Sequence, residues 1–131
     1  MFTLLSPYQP QLLSLVRIVT ALVFLEHGTQ KLFSFPNASP GAGTLGIGLL
    51  MFTGILETVG GTLVTLGLFT RVTAFLLSGE MAVGYWWMHV PQNFFPALNG
   101  GEAMVLYCFV FLYLAAAGPG PWSVDATLKR A

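Results

Sequence analysis

The chain has 131 residues, of which 55% are hydrophobic and 8% charged, and its mean hydropathy is +0.75. Soluble domains carry roughly 25% charged residues, so water cannot be the solvent for most of this surface. Five basic and five acidic residues leave no formal net charge, which offers no electrostatic footprint for a nucleic acid.

An all-α integral membrane four-helix bundle accounts for this composition. Four spans of about 20 residues with short loops use nearly the whole chain and leave one domain over 1–131. Residues 1–11 carry no positive charge, and the first apolar segment ends in Glu26-His27-Gly28-Thr29-Gln30-Lys31 rather than at a small-residue cleavage site. That segment is therefore expected to stay attached as a span rather than leave as a signal peptide.

The first helix is predicted over about 10–33, ending before the turn-rich stretch Phe35-Pro36-Asn37-Ala38-Ser39-Pro40-Gly41. It is the least apolar span, interrupted by Arg17, Glu26, His27 and Lys31. A second helix is predicted over about 45–69, with Glu57 as its only charge. Thr70-Arg71 reads as a tight connection to a third helix over about 72–89, whose internal charge is Glu80. After the loop 90–101, a fourth helix over about 102–117 is the cleanest apolar run, stopped by Gly118-Pro119-Gly120-Pro121.

Four spans put both termini and the Thr70-Arg71 turn on one side of a membrane. Arg71, Lys129 and Arg130 fall on that side and Lys31 alone flanks the other. The positive-inside rule then predicts cytoplasmic termini and two outward-facing loops.

Each predicted helix carries a glutamate: Glu26, Glu57, Glu80 and Glu102. A charge at bilayer depth costs about 2.5–3.5 kcal/mol on insertion scales, so such residues should turn inward and find partners. His27 and Lys31 are four apart, about 40° on a helical wheel, and are predicted to share a face. The economical arrangement is one outward-opening polar pocket of Glu26, His27, Lys31, Glu57, Glu80, His89 and Glu102. Arg17 and Arg71 lie nearer the cytoplasm and are expected to anchor the inner end.

Each of these residues also has a structural reading. A buried glutamate can simply hydrogen-bond a neighbouring helix, Lys31 can snorkel, and Glu102 suits a helix first turn. Seven ionisable groups in one half of so small a bundle exceed what packing needs. Cys108 is the one cysteine, so a disulfide framework, a CxxC relay and a cysteine zinc site are excluded within one chain. His27 and His89 give no ligand spacing that singles out a haem or another metal, and no metal site is assigned. Gly54, Gly60, Gly61 and Gly67 are expected to let a neighbouring backbone approach the second helix near Glu57. Tyr85, Trp86 and Trp87 read as interfacial belt residues or, with Phe94 and Phe95, as walls for an apolar ligand.

These residues together resemble the DoxX family of small bacterial membrane proteins. The resemblance rests on His27-Gly28-x-x-Lys31-Leu32-Phe33, Glu57-x-x-Gly60-Gly61, Leu66-Gly67 and Thr70-Arg71-x-x-Ala74. It continues through His89, Asn99-Gly100-Gly101-Glu102 and Gly118-Pro119-Gly120-x-x-Ser123-x-Asp125. It implies a multi-pass protein of the bacterial inner (plasma) membrane. It also implies a link to quinone-coupled redox or oxidative-stress complexes, because the family is named for a subunit associated with a quinol oxidase and a thiosulfate:quinone oxidoreductase. No intrinsic cofactor is indicated, so a redox role calls for a bound quinone or a partner redox subunit. A homo-oligomer is also compatible with so small a bundle. The alternative is a non-catalytic scaffold, or a small-solute or proton pathway using the same ionisable cluster.

Overall fold

The computed structural model describes residues 2–129, and every regular element among them is helical. Arg130, counted above on the inner side, lies outside the described residues. Two short 3₁₀ turns, Phe2–Leu4 and Ser6–Tyr8, lead into α1 (Gln9–Phe33). Then come α2 (Ile47–Leu66), α3 (Thr70–Gly84), α4 (Pro96–Asn99), α5 (Glu102–Ala117) and α6 (Val124–Thr127).

The helix boundaries have local causes. Pro10 sits in the first turn of α1, where its fixed φ fits and its missing N–H is not needed. Gly67 takes the left-handed conformation (φ 71°) that closes α2, and the Leu68 amide reaches back to the Leu63 carbonyl at 2.9 Å. That closure ends α2 three residues before the predicted 69. The third helix begins at Thr70 rather than 72, so Thr70-Arg71 is a first turn and not a loop. The reason is distant in sequence: both carboxylate oxygens of Asp125 accept from the amides of Phe69 and Thr70, at 3.0 and 2.9 Å. The same helical run passes after Gly84 into a π-helical turn, Tyr85–His89, which periodicity did not signal.

α1 packs antiparallel on α2, and α3 on α5, with fewer contacts between the two pairs. Glycine sets the α1–α2 spacing. A Cβ on Gly28 would lie 2.6 Å from the Thr58 backbone nitrogen, and one on Gly61 would lie 3.2 Å from Cα of Leu25. The interior is small: Ala21, Phe24, Val64, Ala74, Leu77, Met81, Phe111 and Leu114. Large apolar side chains such as Val19, Phe52, Phe75 and Phe109 point outward instead. α1 with its leading 3₁₀ turn and α2 are both long and apolar enough to cross a membrane.

One end is tied by arginine. Arg17, wholly buried, donates through Nε to the Pro119 carbonyl at 2.8 Å and through Nη1 to those of Val64 and Thr65 at 2.7 and 2.6 Å. Its Nη2 donates to the Trp122 carbonyl at 2.5 Å. The guanidinium thus satisfies the carbonyl end of α2 while gripping the chain after α5. Arg71 does the same more openly, donating to the carbonyls of Ala115 and Ala116 at the end of α5. Both arginines act at the same end of the helices, where α2 and α5 stop.

Candidate functional site

At the opposite end, a cavity of about 960 Å³ lies between α2 and α3. It is assembled from glycine spacing outward. A Cβ on Gly54 would stand 3.1 Å from Cβ of Lys31 and 2.8 Å from Cδ2 of Leu32, so the bare backbone there lets the Lys31 stem cross α2. Lys31 Nζ then reaches Glu57 Oε1 at 2.7 Å and Thr53 Oγ1 at 3.2 Å. Thr53, one turn before Glu57, sends its own hydroxyl to the Leu49 carbonyl at 2.9 Å. Glu80 enters from α3 and lines the same cavity.

The polar end is only partly satisfied. Glu57 is 3% exposed, and its Oε2, together with Oε1 and Oε2 of Glu80, is buried without a hydrogen-bond partner. A buried polar atom without a partner costs free energy that a ligand can recover. Around this end the walls are apolar: Phe52, Leu56, Leu76, Met81, Val83, Trp87, Met88 and Met104. Several of these, Phe52, Leu76, Val83 and Trp87, are also exposed on the outer surface, so the cavity opens sideways between α2 and α3. Gly79 stands in that opening with nothing within 4 Å of where its Cβ would be. The loop residues Thr44 and Leu45 and the side chain of Gln92 border its end.

Of the seven residues expected to share one pocket, Lys31, Glu57 and Glu80 line this cavity. Glu26, His27, His89 and Glu102 do not. His27 turns toward α5, where its ring meets Tyr107 edge-on at 5.9 Å and lies 6.5 Å from the Phe24 ring, and Glu26 beside it is exposed. The 40° between His27 and Lys31 is enough to split them, because α2 and α5 flank adjacent faces of α1 and the long lysine stem carries its charge to the α2 side. His89 stacks on Tyr85 at 6.2 Å, and its Nδ1 lies 2.9 Å from the Asn99 carbonyl. Glu102 is exposed in the first turn of α5. Sequence reasoning did not pick out Thr53, Gly79, Met104 or Gln92. Thr53 had a signal, since it sits four residues before Glu57 on one helical face. Among the described residues, no three His, Cys, Asp or Glu side chains gather as a metal site.

A smaller cavity of about 360 Å³ lies on the other side of α3, walled by Tyr85, Trp86, Phe94, Cys108 and Phe109. Met81 and Met104 border both cavities and separate them.

The DoxX family profile matches residues 12–90. The chain belongs to the DoxX family. The matched stretch holds Lys31, Glu57 and Glu80 together, with both helices that form the lateral opening. Relatives extend beyond it. An uncharacterized protein of Haemophilus influenzae is 44% identical over 125 residues, covering 92% of this chain and 93% of its own. An uncharacterized membrane protein of Mycobacterium tuberculosis is 32% identical, covering 88% of this chain and 80% of its own. The inner membrane protein YphA of Escherichia coli is 29% identical, covering 89% of this chain and 90% of its own. No solved structure matches the chain. This DoxX-family chain is thus a membrane protein with an apolar, laterally open cavity tipped by a Lys–Glu pair and a second glutamate.

Proposed function

We propose that this protein crosses the bacterial inner membrane four times, with both termini cytoplasmic, and that its cavity binds the head of a quinone or quinol for a membrane redox or oxidative-stress complex. The four-span reading is supported by apolar side chains facing outward on α1, α2, α3 and α5 alike. The 16-residue α5 is about 24 Å long, which local bilayer thinning accommodates. Arg71 and Lys129 fall at the end assigned to the cytoplasm, in keeping with the positive-inside rule.

The observation that carries the functional reading is the match between cavity and ligand type. A membrane quinone has an apolar body that arrives from lipid and a polar ring that must find hydrogen bonds. The cavity opens sideways through Phe52, Leu76 and Val83 and ends at Lys31, Glu57 and Glu80. Reduction of a quinone takes two electrons and two protons, and in this reading Glu57 and Glu80 are the groups that exchange those protons with the ring oxygens. The electrons come from a partner redox subunit. A through-going solute or proton path is less well served, because the four hydrogen bonds of Arg17 close the inner end.

The test is direct. The full chain is purified in lipid nanodiscs, its bound lipids are extracted and assayed for quinone, and thermal unfolding is followed with a short-chain benzoquinone and its benzoquinol. A co-purified quinone, or a raised midpoint with either redox form, supports the proposal. Neither co-purification nor any shift would overturn it.

A further inference from the structure

The polar end of the cavity has an imbalance of hydrogen-bonding roles. Its three unpartnered buried oxygens, Glu57 Oε2 and Glu80 Oε1 and Oε2, are acceptors when ionised. The one cationic donor there, Lys31 Nζ, already serves Glu57 Oε1 and Thr53 Oγ1. The Thr53 hydroxyl is turned away to the Leu49 carbonyl, and the Gln92 amide at the rim donates to the Met88 carbonyl at 3.0 Å. A proton held on any one of the three oxygens makes that atom a donor and leaves two acceptors, so the excess survives a change of protonation state.

From this we infer that the cavity selects an apolar-bodied ligand whose head donates hydrogen bonds, and that Glu80 is the residue that sets this preference. The inference rests on reading the cavity as a ligand site and adds which chemical form occupies it. A head bearing two hydroxyls meets buried acceptors with donors and relieves their missing bonds. A head bearing two carbonyls brings more lone pairs to a place already short of hydrogens, and only the remaining N–H of Lys31 can answer it. Sites built from buried polar groups discriminate strongly between a ligand that completes them and one that does not. For a quinone pair, the preferred form is the reduced quinol. An alkylammonium has the same donor chemistry and adds a positive charge beside two carboxyls.

Glu80 is the discriminating position because it makes no hydrogen bond within the protein, whereas Glu57 is already bound to Lys31. Glu80→Gln keeps the shape and replaces one acceptor by an N–H₂ donor, so it changes the preference without removing a structural partner.

The experiment uses the full chain in nanodiscs under anaerobic, reducing or oxidising conditions. Dissociation constants are measured for a decyl-benzoquinol and its decyl-benzoquinone, and in parallel for decylammonium and decanoate. The benzoquinol is expected to bind about tenfold more tightly than the benzoquinone, the difference one net hydrogen bond supplies. Decylammonium is expected to bind where decanoate does not, and Glu80→Gln is expected to bring the two redox forms within about twofold of each other. Benzoquinone binding as tightly as benzoquinol, or more tightly, overturns the donor-head inference while leaving the quinone reading in place. Decylammonium binding with neither redox form bound upholds the inference and overturns the quinone reading. Binding of none of the donor-headed probes overturns both.

Discussion

Lys31 Nζ lies 2.7 Å from Glu57 Oε1, with the two side chains 14% and 3% exposed, and this contact ties the C-terminal end of α1 to the middle of α2. Breaking a buried pair by removing one partner leaves the other charge uncompensated, while replacing both by apolar residues is often neutral. Lys31→Met is therefore expected to destabilise the protein by on the order of 3 kcal/mol, and Lys31→Met with Glu57→Leu to recover most of that loss. Thermal unfolding of wild type, both single variants and the double variant in one lipid gives the coupling. Strict additivity would mean that the two charges do not depend on one another.

Arg17 gives a second prediction. Lysine has a point charge with three donors on a flexible stem and cannot reproduce a planar fork that reaches four carbonyls from two chain segments. Arg17→Lys is expected to cost about 2–4 kcal/mol and to open residues 118–127 to protease. Arg71→Lys, at an exposed position with carbonyls of α5 alone, is expected to cost less. Equal losses for the two variants would show that the burial and reach of Arg17 are not what matters.

The elements were legible where a local signal controls them. Pro10 and Phe33 bracket α1 within a residue, and α5 spans Glu102–Ala117 as its apolar run indicates. The signal failed where a distant group intervenes: Asp125 draws Thr70 and Arg71 into the first turn of α3, and nothing near Thr70 in sequence announces it. The site divides in the same way. The cost of burying charge foretold that Lys31, Glu57 and Glu80 would turn inward. It did not foretell that His27, 40° from Lys31, would face α5, because a wheel angle fixes a direction from one helix and not which neighbour occupies it. His89 was drawn away by the Asn99 carbonyl, a contact made by the fold of the loop rather than by the helix.

Membrane topology follows from the proposed orientation. In a Cys108→Ala background, Asn37→Cys and Gln92→Cys are expected to react with an impermeant maleimide added outside intact cells. Thr127→Cys is expected to react only after the membrane is opened. Labelling of Thr127→Cys from outside, with Asn37→Cys protected, would invert the orientation and place the cavity mouth in the cytoplasmic half.

Two glycines separate close packing from open space. A Cβ on Gly28 would stand 2.5 Å from Thr58 Oγ1 and 2.6 Å from the Thr58 backbone nitrogen, so α1 and α2 must part to admit it. Gly28→Ala is expected to destabilise by about 2–3 kcal/mol, the range of overpacked interiors. Gly79→Ala meets nothing and replaces the poorest non-proline helix former with the best, so it is expected to be neutral or to stabilise by up to about 1 kcal/mol. Unfolding midpoints of the two variants, measured side by side, should move apart, and a comparable loss at Gly79 would contradict the open space around it.

That open space permits a sharper test of the cavity. Gly79 stands in the lateral opening between α2 and α3, beside Leu76 and Glu80 in the cavity lining, and an added Cβ there would have nothing within 4 Å. A tryptophan there leaves the backbone through free space and sets an indole at the opening. Gly79→Trp is therefore expected to fold with a near-wild-type midpoint, because its Cβ meets no packed atom. It is also expected to lose the ligand-dependent rise in that midpoint, because a ligand arriving from lipid between α2 and α3 meets an indole instead of a gap. The carboxyls and the Lys31–Glu57 pair are untouched, so loss of binding would report access rather than chemistry. A Gly79→Trp protein that binds a decyl-benzoquinol as tightly as wild type would place the ligand elsewhere, and the smaller cavity beyond Met81 and Met104 would then be the next site to block.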